Sequence, residues 1–170
     1  MDGFGFLAGL LREHGPDAIK GKRCLLLGAG GAARAIALAL LEEGASAVAV
    51  VNRTRARAEA LAAAVPGVRV LDALPEAPLS RDFDVAVQCT NQGHEAADAD
   101  PCPLEVLRPP LLCAEVIHTP AETRWLAAAR AAGCATHRGK FMLDAQIASI
   151  AEFLALDPAD WPPAWAYAPK

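Results

Sequence analysis

"RCLLLGAGGAARAIALALLEEG", residues 23–44, joins three signals in one stretch. The apolar run 23–28 reads as a buried strand, and "GAARAIALALLEEG" (31–44) reads as a helix ended by Gly44. Between them Gly28, Gly30 and Ala33 spell G-x-G-x-x-A, in the strand-to-helix context where that motif holds the phosphates of a dinucleotide. Gly28 permits the tight turn, and Gly30, lacking a Cβ, lets backbone approach a pyrophosphate. Ala33 is small enough for the helix to pack on the strand. The helix start, with Ala29, Gly31 and Ala32 beside it, offers N–H groups and a positive dipole end to an anion. The competing reading is a glycine-rich turn that binds nothing.

Working outward, short apolar runs alternate with helical patterns. Strands are expected at 46–52, 68–71, 84–90 and 111–117, with a sixth at 134–137. Helices are expected at 3–15, 54–65, 120–133 and 139–156, with Thr54 as an N-cap and Pro66-Gly67 as a stop. Residues 73–82 and 91–103 read as loops, the second polar and long enough to carry ligand contacts. The pattern predicts an α/β fold: a Rossmann-type, doubly wound, mainly parallel sheet of about six strands with helices on both faces. Its ligand belongs outside the carboxyl ends of the strands, where the strand order switches. The domain is expected to span 1–156. An extended tail follows at 157–170, whose Trp161 and Trp165 would dock on a surface.

The second strand ends at Asn52, where an NAD site would carry an acid for the ribose hydroxyls. Here Arg53 follows, with Thr54 next and Arg57 one helical turn on. A guanidinium accepts a 2′-phosphate in forked geometry, so Asn52, Arg53, Thr54 and Arg57 predict NADP (NADPH) over NAD. Arg55 points elsewhere and is expected to be solvated. A basic helix start opposes the helix dipole, which favours a ligand over a merely solvated cluster.

Composition bounds the rest. The 170 residues are 54% hydrophobic with few aromatics, and the net charge of −4 is not that of a nucleic-acid or membrane-surface binder. No stretch matches a membrane helix, and the N-terminus lacks the marks of a signal peptide. Cys24, Cys89, Cys102, Cys113 and Cys134 form no CxxC pair and are expected as buried free thiols of a cytoplasmic protein. His14, His94, His118 and His137 show no metal spacing, so no metal is expected.

Six blocks, in order, resemble the cofactor-binding half of shikimate dehydrogenase, in the shikimate/quinate dehydrogenase family. "MDGFGF" resembles the end of N-T-D-G-x-G-F, and 21–40 the family's glycine-rich segment. "NRT" with Arg57 resembles its NADP-specificity segment, and "QCTNQG" (88–93) resembles N-A-T-x-x-G. "EVIHTPAET" (115–123) resembles D-x-x-Y-x-P-x-x-T, and "GKFMLDAQ" (139–146) resembles G-x-x-M-L-x-x-Q.

The resemblance implies reversible reduction of 3-dehydroshikimate to shikimate with NADPH, a step of chorismate and aromatic amino acid biosynthesis. It implies Asp2 as the catalytic acid of a Lys–Asp pair and Gln146 as a substrate contact. It also implies Thr90, Gly93, Met142 and Leu143 around the nicotinamide, with Ile117 and Gly139 as further cofactor-binding residues. The family's N-terminal substrate domain and its lysine are expected to be absent, residues 1–15 forming the hinge helix. The partner is then a small-molecule substrate, with a separate substrate domain or a second copy completing the site. His118 stands for the family tyrosine and Gln88 for its asparagine, so a different carbonyl substrate and a non-catalytic NADP-binding module are the alternative readings. Locally, Asp2 is also readable as a helix cap, Gln146 as an exposed polar residue, and Met142 and Leu143 as core. His118 is readable as a proton donor or a backbone partner, Lys140 as an ion-pair partner, phosphate contact or base, and His94 as solvent-facing.

Overall fold

The computed structural model describes residues 1–155. Its centre is one sheet of six parallel strands: β1 (Arg23–Leu27), β2 (Ala47–Val51), β3 (Val68–Val70), β4 (Val85–Gln88), β5 (Leu112–Glu115) and β6 (Ala135–His137). The spatial order is β3-β2-β1-β4-β5-β6. The chain winds outward from β1 to β3, then returns to lay β4 against the other side of β1. Loops leaving β1 and β4 therefore diverge and open a crevice at the carboxyl ends, the switch point expected of a doubly wound sheet.

Helices cover both faces: α1 (Asp2–His14), α2 (Gly31–Glu42), α3 (Arg55–Ala64), α4 (Arg124–Ala131) and α5 (Lys140–Phe153). Strand alternation divides β1 between two cores. Cys24 and Leu26 join Phe6, Leu10, Ile36 and Leu61 under α1, α2 and α3. Leu25 and Leu27 join Phe83, Leu107, Trp125 and Leu126 on the α4 face. Each fully buried Leu or Phe contributes roughly 1.5–3 kcal/mol relative to exposure. All five cysteines are free and buried, and burial pushes the Cys24 and Cys89 thiols up to about 12.

Helix α1 is seated by glycines. A Cβ at Gly3 would lie 2.3 Å from the Ala35 carbonyl oxygen of α2. One at Gly5 would lie 2.6 Å from Gln146 Cγ, and one at Gly9 2.8 Å from the Phe141 carbonyl oxygen, both on α5. Each glycine costs the helix about 1 kcal/mol relative to alanine. The return is backbone-to-backbone contact that draws α2 and α5 onto one helix.

Two expected boundaries move by three residues or more. The helix expected at 120–133 begins at Arg124, because the Thr123 side chain accepts the Leu126 N–H and fixes the cap there. The final helix ends at Phe153 rather than 156; a short 3-10 turn occupies Leu79–Arg81 within a stretch read as loop, and another occupies Leu104–Val106, just after the second expected loop. The expected tail, with Trp161 and Trp165, lies outside the described residues. Among the described residues no helix is long and apolar enough to cross a membrane.

Candidate functional site

A cleft of about 630 Å³ opens at the carboxyl ends of β1, β2 and β4. Its floor is the glycine turn. Gly28 has φ +109, and a Cβ there would lie 2.7 Å from Thr90 Cγ2. The end of β4 thus packs directly on the turn, and only glycine satisfies both constraints. The Gly28 N–H donates to the Val51 carbonyl at 2.8 Å, tying the turn to β2.

Asn52 is the brace. Its Oδ1 accepts the Ala29 N–H at 3.2 Å, and its Nδ2 donates to the Thr54 carbonyl at 2.8 Å. One side chain therefore couples the glycine turn to the start of α3. No side chain caps α2 at Gly30, and a Cβ added at Gly30 or Gly31 would meet only open space. Ala32 is half-buried in the first turn of α2.

Arg53, Thr54 and Arg57 line the cleft where β2 passes into α3. Thr54 holds the N-cap position of α3, but its side chain makes no cap bond. Among the described residues neither the Arg53 nor the Arg57 side chain has a hydrogen bond or ion pair. Arg55 is exposed, as expected, and pairs at the surface with Glu59 at 2.7 Å and with Asp72, which itself lines the cleft. That acid on the rim is thereby matched by a cation outside the arginine pair.

The opposite wall is built on Gln88. Fully buried at the end of β4, its Oε1 accepts the Thr90 N–H at 2.5 Å and the Thr90 hydroxyl at 3.0 Å. Its Nε2 donates to the Gln92 carbonyl at 2.7 Å. Thr90 lines the cleft, while Gly93 does not: it packs against Thr123 beside a smaller hollow that includes His94. His94 and His118 are exposed.

Asp2 and Gln146, far apart in sequence, meet between α1 and α5. Gln146 Nε2 donates to Asp2 Oδ1 at 3.0 Å. Asp2 is not the helix cap: Met1 holds that position, and Asp2 lies in the first turn without a capping bond. Met142 stands one turn before Gln146 on α5, its carbonyl oxygen 2.8 Å from the place of a Cβ on Gly5. Gly139 packs under the end of β5, where a Cβ would be 2.3 Å from the Ile117 carbonyl oxygen. Ile117, Gly139 and Met142 therefore cluster where β5 meets α5 and do not line the main cleft. Leu143 is exposed rather than core, and Lys140 pairs with Asp144.

Two groups escaped the sequence reading. Glu115 is fully buried, accepting the Thr123 hydroxyl at 2.6 Å. That hydroxyl accepts the Leu126 N–H in turn, so one threonine caps α4 and serves the carboxyl. Burial pushes Glu115 up to about 7, against the pull of the two Thr123 hydrogen bonds. The signals were an acid inside an apolar strand run and the block 115–123, which opens on Glu115 and closes on Thr123. His137 is buried among Phe6, His14 and Phe141, at centroid distances of 5.9, 5.5 and 5.2 Å, with neither ring nitrogen bonded. Burial lowers it to about 3 and keeps it neutral.

The sequence model of the Shikimate / quinate 5-dehydrogenase family matches residues 10–100. Shikimate dehydrogenase (NADP(+)) of Paracoccus denitrificans is 38% identical over 84% of this chain and 51% of its own length. The Haloarcula marismortui enzyme of the same name is 42% identical over 77% of this chain and 48% of its own. The chain spans about half the length of the curated relatives it matches. Among solved structures, quinate dehydrogenase from Corynebacterium glutamicum in complex with NAD superposes with a TM-score of 0.80 at 29% identity, covering 91% of this chain and 57% of that one. Shikimate 5-dehydrogenase from Thermus thermophilus, in complex with NADP(H) and shikimate, gives 0.76 at 35% identity, covering 93% and 58%. The 5-ketofructose reductase of a Gluconobacter species gives 0.79 at 35%, covering 93% and 59%.

Proposed function

This chain belongs to the shikimate / quinate 5-dehydrogenase family, and from that premise we propose that it is the NADP-binding half of a shikimate dehydrogenase-type oxidoreductase. One observation carries the reading: the glycine turn, the Asn52 brace and two unpaired arginines converge on a single cleft at the strand-order switch. These residues fit NADP. Gly30 and Gly31 leave open space over an uncapped helix start, which suits a pyrophosphate. Arg53, Thr54 and Arg57 suit a 2′-phosphate, because guanidinium groups hold a dianion that a carboxylate would repel.

Bound there, NADPH supplies the hydride that reduces a carbonyl. The chain supplies orientation and proton handling. Gly28 to Ala32 hold the pyrophosphate, and Thr90 closes the cleft wall. Gly93, Ile117, Gly139 and Met142, which lie beyond the main cleft, would hold the nicotinamide end. Asp2 holds the proton exchanged with the substrate hydroxyl, and Gln146 fixes the Asp2 carboxylate while contacting the substrate. The substrate in this reading is 3-dehydroshikimate or shikimate, in cytoplasmic chorismate and aromatic amino acid biosynthesis. A substrate domain completes the cleft and brings the partner lysine for Asp2.

A second reading has a specific basis. His118 and Gln88 depart from the family pattern, and the Gluconobacter reductase shares the fold. That reading keeps NADPH and changes the carbonyl. Both are tested by following NADPH oxidation with 3-dehydroshikimate and a panel of other ketones, with and without an added substrate-domain fragment from a relative. Turnover of 3-dehydroshikimate supports the first reading, and turnover of another ketone alone the second. NADPH binding without turnover in any mixture leaves a cofactor-binding module.

A further inference from the structure

A second hollow, of about 400 Å³, lies between α2 and α3 on the outer side of the glycine turn. Arg34 of α2 and Arg57 of α3 frame it, Gly30 and Gly31 lie at its edge, and Ala60 and Leu61 form its α3 wall. It shares Gly30 and Arg57 with the main cleft, so the two are continuous around one guanidinium.

The charge placement is unfavourable as it stands. Arg34 lies in the opening turns of α2, where a cation opposes the helix dipole. It shares the hollow with a like charge, and like charges facing each other repel. The molecule is net negative, and its acids capture other arginines: Asp84 holds Arg23, Asp100 holds Arg124, and Glu122 holds Arg130. No such partner reaches Arg34 or Arg57 among the described residues. An anion between the two helices would relieve every one of these costs.

We propose that Arg34 is a third guanidinium for the 2′-phosphate of NADP, gripping from the α2 side the phosphate monoester that Arg53 and Arg57 grip from the β2–α3 side. The inference rests on the NADP reading and adds a residue outside the segment that first suggested it. Specificity for the phosphorylated cofactor is then set by two helices rather than one, with Arg57 shared between them.

The test is titration of the chain and its R34A, R34K and R34E variants with NADPH, NADH, 2′,5′-ADP and 5′-ADP. R34A is expected to weaken NADPH and 2′,5′-ADP about tenfold while leaving NADH and 5′-ADP within about twofold. R34K should recover part of the loss, and R34E should deepen it. Arg34 is exposed, so folding is preserved, and thermal melts of the variants verify this. If the unsubstituted chain prefers NADPH and R34A keeps that preference, the Arg34 assignment falls and the NADP reading stands. If R34A weakens all four ligands equally, Arg34 does not address the 2′-phosphate. If the unsubstituted chain binds NADPH and NADH alike, the NADP reading falls and takes the assignment with it.

Discussion

At Arg53 the account reduces to one charge. Arg53→Asp places a carboxylate where the 2′-phosphate is proposed to sit and should cut NADPH affinity by roughly tenfold to a hundredfold, while NADH is held or improved. Isothermal titration with both cofactors checks this, and an unchanged NADPH affinity would end the assignment. Glu115 gives a second prediction. Its folded value of about 7 lies above the unfolded value near 4.5, so the native state keeps a proton that the unfolded chain releases. Its neutral-form stabilisation is present below about pH 4.5 and is lost as pH rises through about 7. Glu115→Gln keeps an acceptor for Thr123 and cannot ionise. The variant should therefore gain on the parent between pH 5 and pH 8, by on the order of 2–3 kcal/mol in urea unfolding. His137 slopes the other way, so the difference between the two proteins is the readout; a difference constant with pH contradicts the argument. The arginines were legible because nucleotide specificity is set by residue type at a fixed step after β2. Glu115, His137 and the pairing of Arg55 with Asp72 were not, because each depends on what a distant segment brings alongside.

Among the elements, the glycine turn and α1 carry the tightest constraints. Gly28→Ala meets both a positive φ and the Thr90 side chain, so it should destabilise the fold by about 2 kcal/mol or more and loosen the cleft floor. Chemical denaturation reads the first effect and NADPH binding the second; an unperturbed variant would mean that β4 does not press on the turn. Strand and helix order followed from periodicity alone, since each apolar run ends at a glycine, proline or polar stop. The start of α4 did not. The helical pattern runs back to Pro120, and only the Thr123 side chain, shared between Leu126 and Glu115, sets the boundary. Gly3 and Gly5 of "MDGFGF" were read as part of a motif and Gly9 was given no role, whereas in the fold Gly3, Gly5 and Gly9 are the contact surface of α1.

Over the whole molecule, the strand order places the ends of β1, β2 and β4 around one cleft, although the chain visits these strands far apart in sequence. Alternating strands and helices foretold the doubly wound sheet, and the handedness of crossovers left few ways to arrange it. Gly93, Ile117, Gly139 and Met142 were less legible: they are held by packing partners outside their own motifs and do not line the main cleft. Because the chain spans about half the length of its curated relatives, the account expects separate behaviours: NADPH binding by this half, and turnover only when a substrate domain is supplied. The most direct measurement is a crystal structure of the chain grown with excess NADPH. The account predicts the pyrophosphate over Gly28 to Ala32 and the 2′-phosphate bonded by Arg53 and Arg57. A glycine turn without cofactor, or those arginines directed into solvent away from the phosphate, would contradict it.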